Sequence, residues 1–257
     1  MSNYHKDYTY WSKSLLSKFL KSPKIAKMHI DSVEKKDSKA MAFGRAYHSY
    51  IDGKENEFFV LNECERPDTT KGMTAKVNIE WKNKIFAENE TVITVEEFEQ
   101  IKEMRTELYC NNIMCKLLGS QTNEEVFKAE INGFKVKCKP DRLQKDQALI
   151  IDWKTIDEIS ERKIRYAIND YDYDMQCALY ADILEAITVI KHNFIFVFQA
   201  KTAPYEVLPV LIRNGSTVMQ NGREKYLRAC KIAKEAFETN VFKGVSTFYE
   251  NGIWELI

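Results

Sequence analysis

Asn132-Gly133 stands between two stretches of alternating apolar and polar residues, Val126 to Ile131 and Phe134 to Leu143. A two-residue hairpin turn needs positive φ at both central positions, and Asn followed by Gly meets that demand at little steric cost. The dipeptide predicts a hairpin whose flanking strands pair antiparallel. The second strand runs into Pro140, which has no N–H to give a sheet ladder. Pairing is expected to stop there and to leave Asp141 at the rim of the sheet. A third strand, Ala148 to Thr155, carries Asp152 and Lys154. Side chains two apart on a strand project to one side, so this acid and this amine share a face while Ile151 and Trp153 take the other.

Asp141, delivered beside Asp152, makes two carboxylates converge. Such a pair is stable only with a cation between them or with one carboxyl protonated. Oxygen donors favour a hard ion such as Mg²⁺, which commonly keeps waters and completes its shell with phosphate oxygens. That chemistry suits hydrolysis of a phosphodiester, with Lys154 orienting the attacking water or stabilising charge on phosphorus. A solvated cross-strand charge pair is the other reading that the same residues allow.

Further residues extend the pattern. Pro140-Asp141, then Asp152-Trp153-Lys154, then Gln176 and Tyr180 in a Q-x-x-x-Y spacing resemble the PD-(D/E)xK nuclease superfamily, in its RecB-like branch. Phe43 to His48 matches that branch's upstream G-x-x-x-H element. More narrowly, FGRAYHSYIDG, GFKVKCKPDRL, IIDWKTIDE and YDYDMQCALYAD are similar to the RecE, or exodeoxyribonuclease VIII, group of phage recombination exonucleases. The likeness runs roughly from Trp11 to Phe242.

The resemblance implies a catalytic set of Asp141, Asp152, Lys154, Gln176 and Tyr180, the last two flanking the site to steady the lysine or a phosphate. It places His48 beside the metals, as a ligand or near one. An acid on the first strand of the hairpin is also implied as a ligand, and Glu124, Glu125 and Glu130 all remain candidates. The implied activity is that of a 5′→3′ exonuclease on double-stranded DNA ends, dependent on Mg²⁺ with Mn²⁺ as substitute, leaving a 3′ single strand. A RecT-like single-strand annealing protein would load on that strand during phage recombination. The enzymes so resembled form ring-shaped homo-oligomers, which implies a trimer or tetramer here. A RecB-like or Cas4-like nuclease of another polarity or role is a second reading. A DNA-binding protein without activity is a third, and the presence of both acids and the lysine argues against it.

The 257 residues are enough for one domain with a substantial core, and that is the expectation. It would comprise a helical N-terminal part (1–120), a catalytic core (121–212) and a C-terminal helix and tail (213–257). The fold class expected is α/β, a central mixed sheet of about five strands flanked by helices. Basic and acidic residues balance at 38 each, so affinity for DNA has to come from local clustering rather than from net charge. No run of about 18 apolar residues occurs and the N-terminus is polar, which predicts a cytoplasmic protein of the bacterial host cell. The six cysteines are widely scattered and expected to be reduced. Some RecB-like nucleases hold an iron–sulfur cluster with one early Cys and a trio after the core. Only Cys230 follows Tyr180 here, so no such cluster is expected.

Along the chain, Ser12 or Ser14 can cap a helix striped with Leu15, Leu16, Phe19 and Leu20 and ending near Ser22-Pro23. Its other side carries Lys13, Lys18 and Lys21, continued by Lys24 and Lys27. They could meet phosphates or simply form a solvated face. Ala40 to Asp52 reads as a helix closed at Gly53, with His48 turned inward and Gly44 one turn before it leaving room for close approach. Arg45, Arg66, Lys71 and Lys76 are candidate DNA contacts, the last three in a polar stretch that fits a mobile surface loop equally well. Thr94 to Glu97 is a capping box opening a structural helix. Helices are expected over Glu158 to Asn169, Met175 to Ile187 and Gly222 to Asn240, with strands over His192 to Ala200 and Glu206 to Leu211. Asn251-Gly252 repeats the turn signal and suggests a small terminal hairpin, whose Phe248, Tyr249, Ile253 and Trp254 would dock on this domain or a neighbour.

Overall fold

The computed structural model describes residues 4, 7–32, 38–118, 122–123 and 125–255. The N-terminal part contains β1 (Trp11–Ser12), α1 (Lys13–Lys21), α2 (Pro23–Asp31), α3 (Lys39–Ile51), β2 (Phe59–Leu61), α4 (Lys76–Glu88), β3 (Val92–Thr94), α5 (Val95–Cys110) and α6 (Asn112–Leu117). After it come β4 (Thr122–Asn123), β5 (Phe127–Ile131), β6 (Phe134–Cys138), β7 (Arg142–Gln144), β8 (Leu149–Ile156), α7 (Glu161–Asp170), α8 (Tyr173–Thr188), β9 (Asn193–Ala200), β10 (Val207–Ile212) and α9 (Thr217–Thr239).

The hairpin forms as its turn dictates. Asn132 and Gly133 take φ of 51° and 77°, and β5 pairs with β6 from Phe127↔Cys138 to Ile131↔Phe134. Pairing stops at Lys139-Pro140-Asp141, as the proline led one to expect, and at that break the chain also changes sheets. Before the break, β6 belongs to a three-stranded sheet ordered β1-β6-β5, with β1 parallel to it. After the break, β7 runs antiparallel to β8 in a five-stranded sheet ordered β10-β9-β8-β7-β4. Pro140 cannot donate to a ladder, so the chain leaves one sheet there and enters another. The central sheet is mixed: β8 and β9 are parallel, joined by the crossover α7–α8, and the other pairs are antiparallel.

Alternation along β8 and β9 separates two cores. Ile150, Phe194, Phe196 and Phe198 face α8 and the hairpin, whereas Leu149, Ile151, Trp153 and Val197 face α3 and α5. Helix α8 is apolar almost all round because it is enclosed, with Met175, Cys177, Ala178, Leu179, Ala181, Ile183 and Leu184 all buried. Helix α9 covers it with one stripe that includes Met219, Gly222, Tyr226 and Ala229. That helix starts five residues earlier than expected, capped by Ser216, so Gly222 lies inside it.

The polar stretch after Leu61 is ordered by a buried amide. Asn78 accepts from the Asp68 N–H at 3.1 Å and donates to the carbonyls of Asp68 and Gly72. It leads through α4 to β3, which pairs parallel with β2, a pairing too short to read from sequence. The Thr94 capping box is complete: Thr94 Oγ1 accepts from Glu97 N–H at 3.2 Å and Glu97 returns the bond to Thr94 N–H at 2.8 Å. Thr94→Ala is expected to cost about 1 kcal/mol of stability, read as a lower urea midpoint with an unchanged slope.

The terminal hairpin is corrected. Asn251 and Gly252 do take positive φ, but they sit in a short 3₁₀ turn, Glu250–Gly252, that follows another at Val245–Phe248, with no strand on either side among the described residues. Two or three apolar residues per arm are too few to fix a two-stranded ribbon. Ile253 and Trp254 are exposed. Among the described residues no helix is long and apolar enough to cross a membrane.

Candidate active site

The break at Pro140 creates the site. Carried one step further, the register Arg142↔Ile151 would set Asp141 beside Asp152, but the ladder has ended. The Asp141 carboxylate takes the place of a strand carbonyl, Oδ2 accepting from the Trp153 N–H at 2.8 Å. The same oxygen lies 3.4 Å from Nδ1 of His48, which α3 brings in from the other core.

On the side of β8 that faces α8, Asp152 is 3% exposed and held from two directions. Gln176 Nε2, on the first turn of α8, donates to its Oδ1 at 2.6 Å. Its Oδ2 is buried without an aligned hydrogen bond and meets the Lys154 ammonium as an ion pair. Lys154 Nζ lies 4.7 Å from the centre of the Tyr173 ring, and that ring stacks on Phe196 at 5.3 Å. Tyr180, one turn beyond Gln176, is buried against Phe194.

Burial opposes the charge on every one of these groups, and the neighbours decide the outcome. At Asp141 burial pushes upward, yet His48 by charge and hydrogen bond, with Lys154 and the Trp153 N–H, holds the carboxyl below its ordinary value. At Asp152 burial and the Asp141 charge lift the carboxyl above its ordinary value against the pull of Lys154. Burial would discharge Lys154, but the charge on Asp152, aided by Tyr173 and Asp141, carries it upward. His48 is likewise raised: burial works against the imidazolium and the Asp141 carboxylate outweighs it. The Tyr180 phenol is driven far up, chiefly by burial, so it can give a hydrogen bond but not serve as a base. Two carboxyls in one site pushed in opposite directions are a mark of built chemistry rather than of a solvated charge pair.

Among the described residues no three His, Cys, Asp or Glu side chains converge to cage a metal ion by themselves. The donor set is instead two carboxylates with a buried oxygen lacking an aligned donor. That fits Mg²⁺, which is often held by one or two carboxylates and completed by water and phosphate.

The other sequence candidates lie elsewhere. Glu124 is outside the described residues. Glu125 is exposed and faces Lys145 at 3.8 Å, and Glu130 is exposed on β5 opposite Lys135. Arg45 bonds Thr91 Oγ1 at 2.9 Å and the Glu90 carbonyl at 3.1 Å. Arg66 spends its guanidinium on the carbonyls of Glu63, Thr69 and Lys71, holding the loop together. Lys71 pairs with Asp68 at 2.9 Å, and Lys76 is nearly free in solvent, 3.8 Å from Glu80. A Cβ at Gly44 would meet nothing within 4 Å, so the close approach expected there is absent among the described residues. Sequence reasoning did not assign Tyr173 to the site. Its signal was the position three residues before Gln176, on the same helical face.

The family described as "PDDEXK-like domain of unknown function (DUF3799)" matches residues 12–244. No curated protein matches this sequence. A crystal structure from Eubacterium rectale, of a protein provisionally described as an exonuclease, superposes with a TM-score of 0.65 at 15% identity, covering 91% of this chain and 87% of that one. A phage-related exonuclease from Haemophilus somnus 129PT aligns at 13% identity over 65% of this chain and 85% of its own, with a TM-score of 0.37. The first likeness shows the fold alone, and the second is too distant to carry weight. With the family matched over nearly the whole chain, from the cap of α1 to beyond α9, the protein belongs to the PDDEXK-like DUF3799 family.

Proposed function

We propose that this protein is a Mg²⁺-dependent deoxyribonuclease, acting 5′→3′ on double-stranded DNA ends and leaving a 3′ single strand for a RecT-like annealing protein. The observation that supports the reading best is the buried arrangement of Asp152 with Lys154 and Gln176, beside an ionised Asp141. Asp141 and Asp152 would hold the ion, with His48 fixing Asp141, and the bound ion would polarise a phosphate oxygen and lower the pKa of a water. Lys154 stays charged and is aimed to neutralise the charge that builds on phosphorus. Gln176 spends its amide on Asp152 and so keeps that carboxylate from rotating toward the lysine alone. β7 pairs with β8 only as far as Ile151, so the part of β8 that carries Asp152 and Lys154 runs on past this partner, and the substrate would approach there.

DNA duplexes labelled at the 5′ or the 3′ end test the reading directly. Mg²⁺ or Mn²⁺ is expected to support release of label from the 5′ end first. Ca²⁺ is expected to fail, because it tolerates longer and looser coordination than in-line attack allows. Undiminished cutting in EDTA would contradict metal dependence, and release from the 3′ end first would reverse the polarity.

A further inference from the structure

Lys13 occupies an unusual place for a lysine. It opens α1, and its ammonium donates to the Tyr171 carbonyl at 2.5 Å across the turn that leads into α8. It also lies 5.4 Å from the centre of the Tyr173 ring, the ring that carries Lys154 at 4.7 Å. One aromatic side chain therefore serves two ammonium groups, both within the range of a cation–π contact. Lys13 is half-buried and, among the described residues, has no carboxylate within ion-pair distance. Most other lysines near acids here are paired at the surface, as Lys27 is with Asp31 and Lys71 with Asp68.

The two ammonium groups repel each other over the ring, and the nearby carboxylates are already engaged, Asp152 by Lys154 and Gln176, Asp172 and Asp174 by Lys225. Burial, and next the Lys154 charge, pull Lys13 down to about 8, against Asp172, Asp152 and Asp174. The fold maintains the arrangement nevertheless. Ser12 caps α1, accepting from the Leu15 N–H at 3.4 Å, and fixes where Lys13 begins. Lys225 lies 2.8 Å from Asp174 and 3.8 Å from Asp172, pinning the turn from its other side.

We propose that Lys13 is a second phosphate-binding cation of this site, gripping a backbone phosphate next to the one that Lys154 faces, with Tyr173 as their shared platform. This rests on the nuclease reading and deepens it: the ligand is a nucleic-acid strand engaged through two of its phosphates. A substrate offering a single phosphate leaves Lys13 unanswered.

The test compares the parent protein with Lys13→Met, Lys13→Gln and Lys13→Arg on one duplex. For Met and Gln, KM is expected to rise roughly tenfold, the value of one charge-assisted contact, with kcat little changed and with Arg restoring most of the loss. In an Asp152→Asn background, which binds without cutting, the slope of log affinity against log salt should fall by about 0.9 for duplex DNA when Lys13 is removed. An unchanged KM and salt slope in folded Met and Gln variants overturns the proposal. So does a fall in kcat alone, which would make Lys13 only a prop for Tyr173. A parent protein that cuts no nucleic acid overturns the nuclease reading and this proposal together, so the two failures are distinguishable.

Discussion

Asp152→Asn is expected to abolish cutting and yet to fold with a stability close to that of the parent protein. The loss of activity should be at least about a hundredfold, corresponding to ~3 kcal/mol or more of transition-state stabilisation. The stability is set by two opposed effects, and the first follows from the sign of the Asp152 shift. Burial and the Asp141 charge raise its carboxyl, so the folded form binds the proton more tightly than the unfolded form. That contribution is complete below the unfolded value and is lost as pH rises through the folded one, which means the ionised carboxylate costs stability at neutral pH. An amide of the same shape removes that cost but takes the partner charge from the buried Lys154 ammonium, so the two effects oppose each other and the melting point should move little. Asp141 carries the opposite sign, because His48, Lys154 and the Trp153 N–H hold it low despite burial. Its stabilisation is present above the unfolded value and disappears as pH falls through the folded one. Asp141→Asn should therefore be inactive and also melt lower at neutral pH, with the gap closing in acid. Melting curves at neutral and mildly acidic pH, with cleavage rates for the same samples, check both. A folded Asp152→Asn that cuts near the parental rate sinks the site, and one that melts far below the parent sinks the electrostatic account.

Much of this centre was legible from local rules. The Asn132-Gly133 turn, the strand carrying Asp152 and Lys154 on one face, and the Gln176 and Tyr180 spacing each follow from a period or a turn that neighbours in sequence determine. His48 was placed on an inward helix face by the same logic, and it does reach Asp141. What local rules could not supply was the change of sheet at Pro140. A proline says where a ladder stops but not where the next one starts, and here the answer depended on β1 offering a parallel partner to β6. The basic residues chosen as DNA contacts show a related limit. Composition marks Arg66 as an exposed cation, but only the folded loop shows its guanidinium spent on three carbonyls.

The terminal Asn-Gly shows the converse. Asn251 and Gly252 adopt the turn conformation the dipeptide favours, yet among the described residues no strands pair on either side. A turn signal is worth a hairpin only when both arms can bury a face, as Phe134 and Val136 do in β6. Lys13 sits between these cases. The sequence put it in a basic run with Lys18 and Lys21, and one helical turn separates those residues while tertiary contact sets Lys13 apart at Tyr173.

Gly222→Ala is expected to be among the most damaging single changes in the protein, although it lies outside the site and adds one methyl group. On propensity alone the change should help, since Ala is favoured over Gly inside a helix by about 1 kcal/mol. Packing decides otherwise. A Cβ at 222 would stand 1.9 Å from the Asp174 carbonyl oxygen and 2.4 Å from its carbon. Both are backbone atoms of α8, so no side chain can swing aside, and α9 or the start of α8 has to move. Overpacking of this kind costs about 1–3 kcal/mol, and contact with backbone puts it at or beyond the upper end. Asp174 is two residues from Gln176, whose amide holds Asp152 at 2.6 Å, so displacing α8 also loosens the site. The variant should lose activity by more than its melting temperature suggests, because misplacing a positioning group by an ångström is costly to the rate even in a folded protein. Gly44→Ala is the matched control, in a helix where the new methyl meets nothing within 4 Å, and it should melt slightly higher than the parent with its activity kept. If Gly222→Ala melts with the parent and cuts as fast, α9 does not seat α8 through that glycine, and the placement of Gln176 needs another explanation.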